Sequence, residues 1–94
     1  MKGVTEKETR QGKIVSQIIS SIFYLNNQQV RYKFSYEGYL MKLEKYSFDM
    51  KEYTEVMEVN VTKHKYSYVN KILDLMLGIL EKEMVKLDDD YRNN

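Results

Sequence analysis

The chain has 94 residues and a mass of 11.3 kDa, room for one small domain. Hydrophobic residues make up 43% and charged residues 31%, the balance of a folded globular chain rather than a disordered one. It has no Cys, Pro, Trp or Ala, and its formal net charge is +1; disulfides, zinc–thiolate sites and thiol catalysis are excluded, and no global field steers it toward nucleic acid or membrane.

Without Ala, the helices must rest on packing rather than on intrinsic propensity. Lys, Asn, Ile and Tyr are in excess, and their codons are AT-rich. That composition points to a low-GC genome, such as that of a virus or mobile element. The apolar stretch Ile72 to Leu80 is broken by Asp74 and Gly78 and is far short of the ~20 residues of a membrane span. The first 13 residues are mostly charged and polar, unlike a secretory signal. The expectation is a cytoplasmic protein with no membrane partner.

Thr5-Glu6-Lys7-Glu8 fits a capping box, in which the Thr hydroxyl accepts an early helix N–H and Glu8 reaches back. Ile14, Val15, Ile18, Ile19, Ile22 and Phe23 then recur at helical spacing. This predicts a first helix over residues 6–25 that buries that stripe. Asn26-Asn27 is the expected stop, because Asn tolerates the left-handed conformation.

The period then changes to two. Val30, Tyr32, Phe34 and Tyr36 alternate with Arg31, Lys33 and Ser35, and Tyr39, Met41 and Leu43 resume the alternation after Glu37-Gly38. A two-residue turn at Glu37-Gly38 sets Tyr36 against Tyr39, Phe34 against Met41, Tyr32 against Leu43 and Arg31 against Glu44. Residues 47–51 form a connection. A third strand is expected over residues 53–62, with Tyr53, Met57, Val59 and Val61 on one side; Glu55 spoils that side near the strand start. Lys63-His64-Lys65 is a basic loop, and Ser67 is a candidate N-cap. From Tyr68 to Leu87, the residues Val69, Ile72, Leu73, Met76, Leu80, Met84 and Leu87 follow a helical stripe. Asp88-Asp89-Asp90 is expected to end that helix, because acids are unfavourable at the negative end of its dipole. The expected organisation is therefore one domain over residues 1–87 and a flexible acidic tail over 88–94. The fold class is α+β: a helix, a three-stranded antiparallel meander and a helix (αβββα), both helices on one sheet face.

Leu75, Leu77 and Ile79 widen the stripe of the second helix well past the usual ~100°. Either this helix is a central core element, or its surplus apolar side is a subunit interface. Leu75, Gly78 and Ile79 are the expected homodimer interface, since Gly inside a helix costs about 0.8–1 kcal/mol and another backbone approaching there would explain it. On the outer hairpin face Arg31, Lys33 and Lys42 lie beside Tyr46, a basic and aromatic mixture of the kind that binds nucleic acid. Leu40, Tyr46, Phe48 and Val56 on that face would equally make an apolar patch for a protein. Lys63, His64 and Lys65 precede a helix start, where amides favour an anion. Catalysis has little support: the lone His64 has no nucleophile at a known spacing, and the four Gly are scattered. No cofactor and no metal are expected.

The order helix–three strands–helix resembles that of double-stranded-RNA-binding domains, in which a basic cluster at the start of the last helix grips phosphates. Lys63, Lys65 and Lys71 fall in the corresponding region, although the closely spaced lysine-alanine signature is absent. The leading expectation remains a non-catalytic, homodimeric interaction protein that binds another protein, such as a viral or mobile-element accessory inhibitor. A nucleic-acid-binding module is the alternative, and sequestration of a small anionic ligand at a dimer seam is a third.

Overall fold

The computed structural model describes residues 6–92, the side chain of Lys7 excepted. Thr5 of the expected capping box lies outside them. The elements are α1 (Glu6–Asn27), β1 (Tyr32–Glu37), β2 (Leu40–Ser47), β3 (Glu52–Asn60) and α2 (Tyr66–Arg92). The αβββα layout is the expected one. One antiparallel sheet has the order β1-β2-β3, and both helices pack on the same face of it.

In α1, Ile14, Ile18, Ile22 and Leu25 recur every three or four residues and are buried. Ile19 and Phe23, expected in the same stripe, are instead 54% and 71% exposed. Each follows a buried Ile by one position. One step turns the helix by about 100°, past the edge of the covered face. The helix ends in a Schellman motif rather than at a left-handed Asn. Val30 N donates to Leu25 O, Gln29 N donates to Asn26 O, and Gln29 takes φ +66°. The Asn26 side chain serves the next strand, its Oδ1 accepting from Tyr32 N at 3.0 Å.

The hairpin keeps the expected faces but not the expected partners. Tyr36 pairs with Met41, Phe34 with Leu43, Lys33 with Glu44 and Tyr32 with Lys45; Arg31 O accepts from Tyr46 N. Every pair is displaced by two residues, so the alternation survives. The turn residues are Gly38-Tyr39, not Glu37-Gly38, and Gly38 has φ +62°. A two-residue turn with Gly first needs positive φ only where Gly stands; a turn centred on Glu37-Gly38 would have asked it of Glu37 too.

The misfit at Glu55 has a structural cause. Between Leu43 and Glu44 the β2–β3 register slips, so that Leu43 pairs with Met57 but Glu44 pairs with Glu55. Val56 is the extra residue of a β-bulge. The bulge inverts the alternation, carrying Glu55 and Tyr53 to the outer face beside Glu44 and Tyr46, while Val56 and Met57 pack against the core.

α2 begins two residues earlier than expected, at Tyr66. Lys65 O accepts from Tyr68 N and Val69 N, so Lys65 rather than Ser67 holds the cap position. The helix also runs through Asp88–Asp90 to Arg92, where Arg92 reaches back to Asp88 at 3.4 Å. This i, i+4 pair and the cation in the last turn offset the unfavourable acids. Arg10 meets Asp74 at 2.7 Å, Ser20 and Ser21 meet Leu77 and Glu81 across one groove, and Tyr24 and Gln28 lie by Leu87 and Tyr91. The two helices thus run parallel. Val69, Leu73, Met76, Leu77 and Leu80 are buried between α1 and the sheet.

Backbone geometry yields opposite expectations at two positions. Gly38→Ala forces a Cβ into the left-handed region and is expected to cost about 1 kcal/mol, whereas Gln29→Gly relieves the same strain and is expected to gain about 0.5–1 kcal/mol. Urea unfolding midpoints check both signs.

Candidate interaction surfaces

The outer sheet face gathers Arg31, Lys33, Lys42 and Tyr46 as expected, and the bulge adds Tyr53 and Glu55. The rings of Tyr46 and Phe48 meet edge to face at 5.0 Å, and those of Tyr46 and Tyr53 at 5.3 Å. Two of the cations are engaged there. The Arg31 guanidinium lies 5.6 Å from the Tyr46 ring centre, and Lys33 Nζ lies 5.0 Å from that of Tyr53 and 3.9 Å from Glu44. Glu37 and Glu44 line a shallow cavity of about 310 Å³ with Lys33 and Lys42. Glu58 pairs across from Lys42. The carboxyl of Glu55 is held above the usual range by loss of solvent, by its charge and hydrogen-bond interaction with Glu58 and by Glu44, with Lys42 pulling the other way. Arg31, Lys33 and Lys42 thus face Glu37, Glu44, Glu55 and Glu58, three cations against four acids.

The basic loop lies at the hairpin end of the molecule. Val61 N donates to Tyr39 O at 2.8 Å, tying the hairpin tip to the connection before α2. His64, Tyr66, Tyr36, Val61, Val69 and Gln11 line a cavity of about 140 Å³. The His64 and Tyr68 rings stack at 4.4 Å with a 36° tilt. Lys63 and Lys65 are exposed. Tyr36 and Tyr39 belong to this end too, a convergence that chain order conceals because they arrive from a different hairpin.

On α2, Leu75 is 49% exposed, while Gly78 and Ile79 are half-buried. A Cβ at Gly78 would meet nothing within 4 Å, so no close approach within this copy requires glycine there. Leu75 lies ten residues beyond Lys65, about 15 Å along the helix. The basic loop and the expected dimer seam are therefore separate places, not one site.

The outward face of α1 was missed by periodicity. Ile19 and Phe23 are 54% and 71% exposed there, and Tyr24, 50% exposed, stands at its α2 edge beside Leu87 and Tyr91. The signal for it is an uncharged run: no Lys, Arg, His, Asp or Glu occurs from Ile14 to Val30.

One titratable cluster remains, under the sheet's helix-covered face. Tyr32 is buried, Lys45 Nζ stands 5.5 Å from its ring centre, and Lys45 meets Glu83 of α2 at 3.3 Å. Burial, the nearby Glu83 charge and a hydrogen bond donated to Glu83 push the Tyr32 phenol up from 10.0 to about 12. This group joins α2 to the first two strands. Among the described residues, no group of three or more His, Asp or Glu is placed to hold a metal, and no helix is long and apolar enough to cross a membrane. No family model, no curated protein and no solved structure matches the chain.

Because folding raises the Tyr32 pKa, the folded chain keeps a proton that the unfolded chain loses between pH 10 and 12. The stability it contributes is complete below pH 10 and falls as pH rises through that window. Tyr32→Phe is expected to remove that part of the alkaline decline, and denaturant unfolding across the window tests it. Equal declines in both proteins would refute the assignment.

Proposed function

We propose that the protein is a small non-catalytic interaction module that docks the outward face of α1 on another protein, a second copy of itself first among such partners. The observation behind this reading is the exposure of Ile19, Phe23 and Tyr24 on a helix that carries no charge from Ile14 to Val30. Large apolar side chains left in water favour burial by about 1.5–3 kcal/mol each. In a two-fold dimer, each contributes twice. A charge-free face can meet its own copy without like charges opposing. Ser16 and Ser20, exposed at the α2 edge of this face beside Leu77 and Glu81, are small enough for close approach. The size and AT-rich composition suit an accessory or inhibitor protein of a virus or mobile element.

Leu75, Gly78 and Ile79 offer a second seam, because Leu75 is half-exposed and Gly78 has open space beside it. It is the smaller of the two, since α1 and the sheet already cover the neighbouring side chains.

Light scattering on a size-exclusion column separates the two. The expected mass is twice 11.3 kDa, falling to 11.3 kDa in Phe23→Asp, with Leu75→Glu remaining dimeric. Dissociation by Leu75→Glu alone would move the seam to α2. A mass of 11.3 kDa at every concentration would remove self-association.

A further inference from the structure

We infer that the hairpin end of the molecule is a binding site for single-stranded nucleic acid. It is built from the Gly38-Tyr39 tip, residues 61–65 and the first turns of α2. The site is independent of the docking face on α1.

The first observation is the concentration of aromatic rings. Tyr36, Tyr39, Tyr66 and Tyr68 are 43–55% exposed, so each keeps part of its ring against the protein and offers part to solvent. They are not scattered. Tyr36 and Tyr66 line one cavity with His64, and the Tyr68 ring stacks on His64; Tyr39 stands at the tip, its backbone bonded to Val61 and its side chain at the near end of the sheet-face cavity with Lys42 and Glu37. Half-buried rings held from behind are suited to stacking on flat partners, because little side-chain freedom is lost when a base settles on them.

The second observation is charge. From Val61 to Leu73 the chain carries Lys63, Lys65 and Lys71 and no acid; the next acid, Asp74, is bonded to Arg10. Lys63, Lys65 and Lys71 are all exposed, and among the described residues none is in an ion pair. On the outer sheet face, by contrast, Arg31 and Lys33 lie over the sheet's own rings and four acids outnumber the cations. Three unpaired lysines thus stand at the hairpin end, with Glu37 as the acid beside its tip, and the positive end of the α2 dipole adds to their attraction for phosphate.

Cations beside open rings match a ligand with alternating phosphates and flat bases. A duplex hides the faces of its bases and would leave the tyrosines unused. An unpaired strand offers both groups at once, and its bases are read by stacking rather than by sequence.

Fluorescence anisotropy with labelled oligothymidylate and oligouridylate, roughly 12 nucleotides long, tests this. Both strands are expected to bind. Affinity should fall with salt along a logarithmic slope near −2, the value for about three phosphate contacts on a single strand. Lys63→Glu with Lys65→Glu is expected to abolish binding, and Tyr39→Ala or Tyr68→Ala to weaken it about tenfold. Arg31→Glu, on the sheet face at the end away from the tip, should leave it unchanged, and circular dichroism checks that each variant is folded. Three results would overturn the site: no binding of either strand at low salt, equal affinity for a duplex or for heparin (which carries anions without bases), or a loss with Arg31→Glu matching that with Lys65→Glu.

Discussion

The burial of α2 on two sides is the constraint on which the rest of the structure depends. Val69, Leu73, Met76, Leu77 and Leu80 are all nearly inaccessible, and no single flat surface could cover a stripe that wide. The sheet covers one side and α1 the other. That requirement places both helices on the same sheet face. An odd number of strands between them then makes them run parallel. Tyr32, Lys45 and Glu83 add a polar link from the first two strands to the later part of α2. Exposed pairs such as Arg10–Asp74 contribute little beside this apolar burial.

With the Val69–Leu80 stripe of α2 covered, Leu75 and Val85 are what α2 leaves exposed, and further surplus apolar surface falls on α1. α1 touches the sheet on one side and α2 on another, and Ile19 and Phe23 lie just outside both contacts. The molecule thus sorts its surface into three regions of different chemistry. The outer face of α1 is uncharged from Ile14 to Val30, with Ile19 and Phe23 exposed among small polar residues. The outer sheet face is mixed, with its cations engaged and its acids in slight excess. The hairpin end is aromatic with unengaged lysines. A single net charge of +1 describes none of them, because it averages a near-neutral sheet face with a locally basic end.

Much of the fold was legible in the sequence because the hydrophobic period changes cleanly from 3.6 to two and back. What escaped depends on single residues or on width. The hairpin turn was displaced by one residue because Glu37-Gly38 and Gly38-Tyr39 both contain the needed glycine, and only the dihedral demand on Glu37 separates them. The bulge at Val56 left one trace, the ill-placed Glu55, since an extra residue changes parity without changing composition. Periodicity located the centre of the α1 stripe at Ile18 and Ile22 but not its edge, which is set by neighbouring elements. Lys63, His64 and Lys65 could be singled out along the chain. Tyr36 and Tyr39 could not be joined to them, because that neighbourhood exists only once Tyr39 and Val61 are bonded.

The central claim is that α2 is covered within one copy of the chain. Native-state hydrogen exchange, measured by NMR at several protein concentrations, tests it most directly. The account predicts that the amides from Leu73 to Leu80 exchange most slowly, and that their protection does not change on dilution. Protection of that segment that falls as the protein is diluted would mean that a second molecule covers α2, and would contradict it.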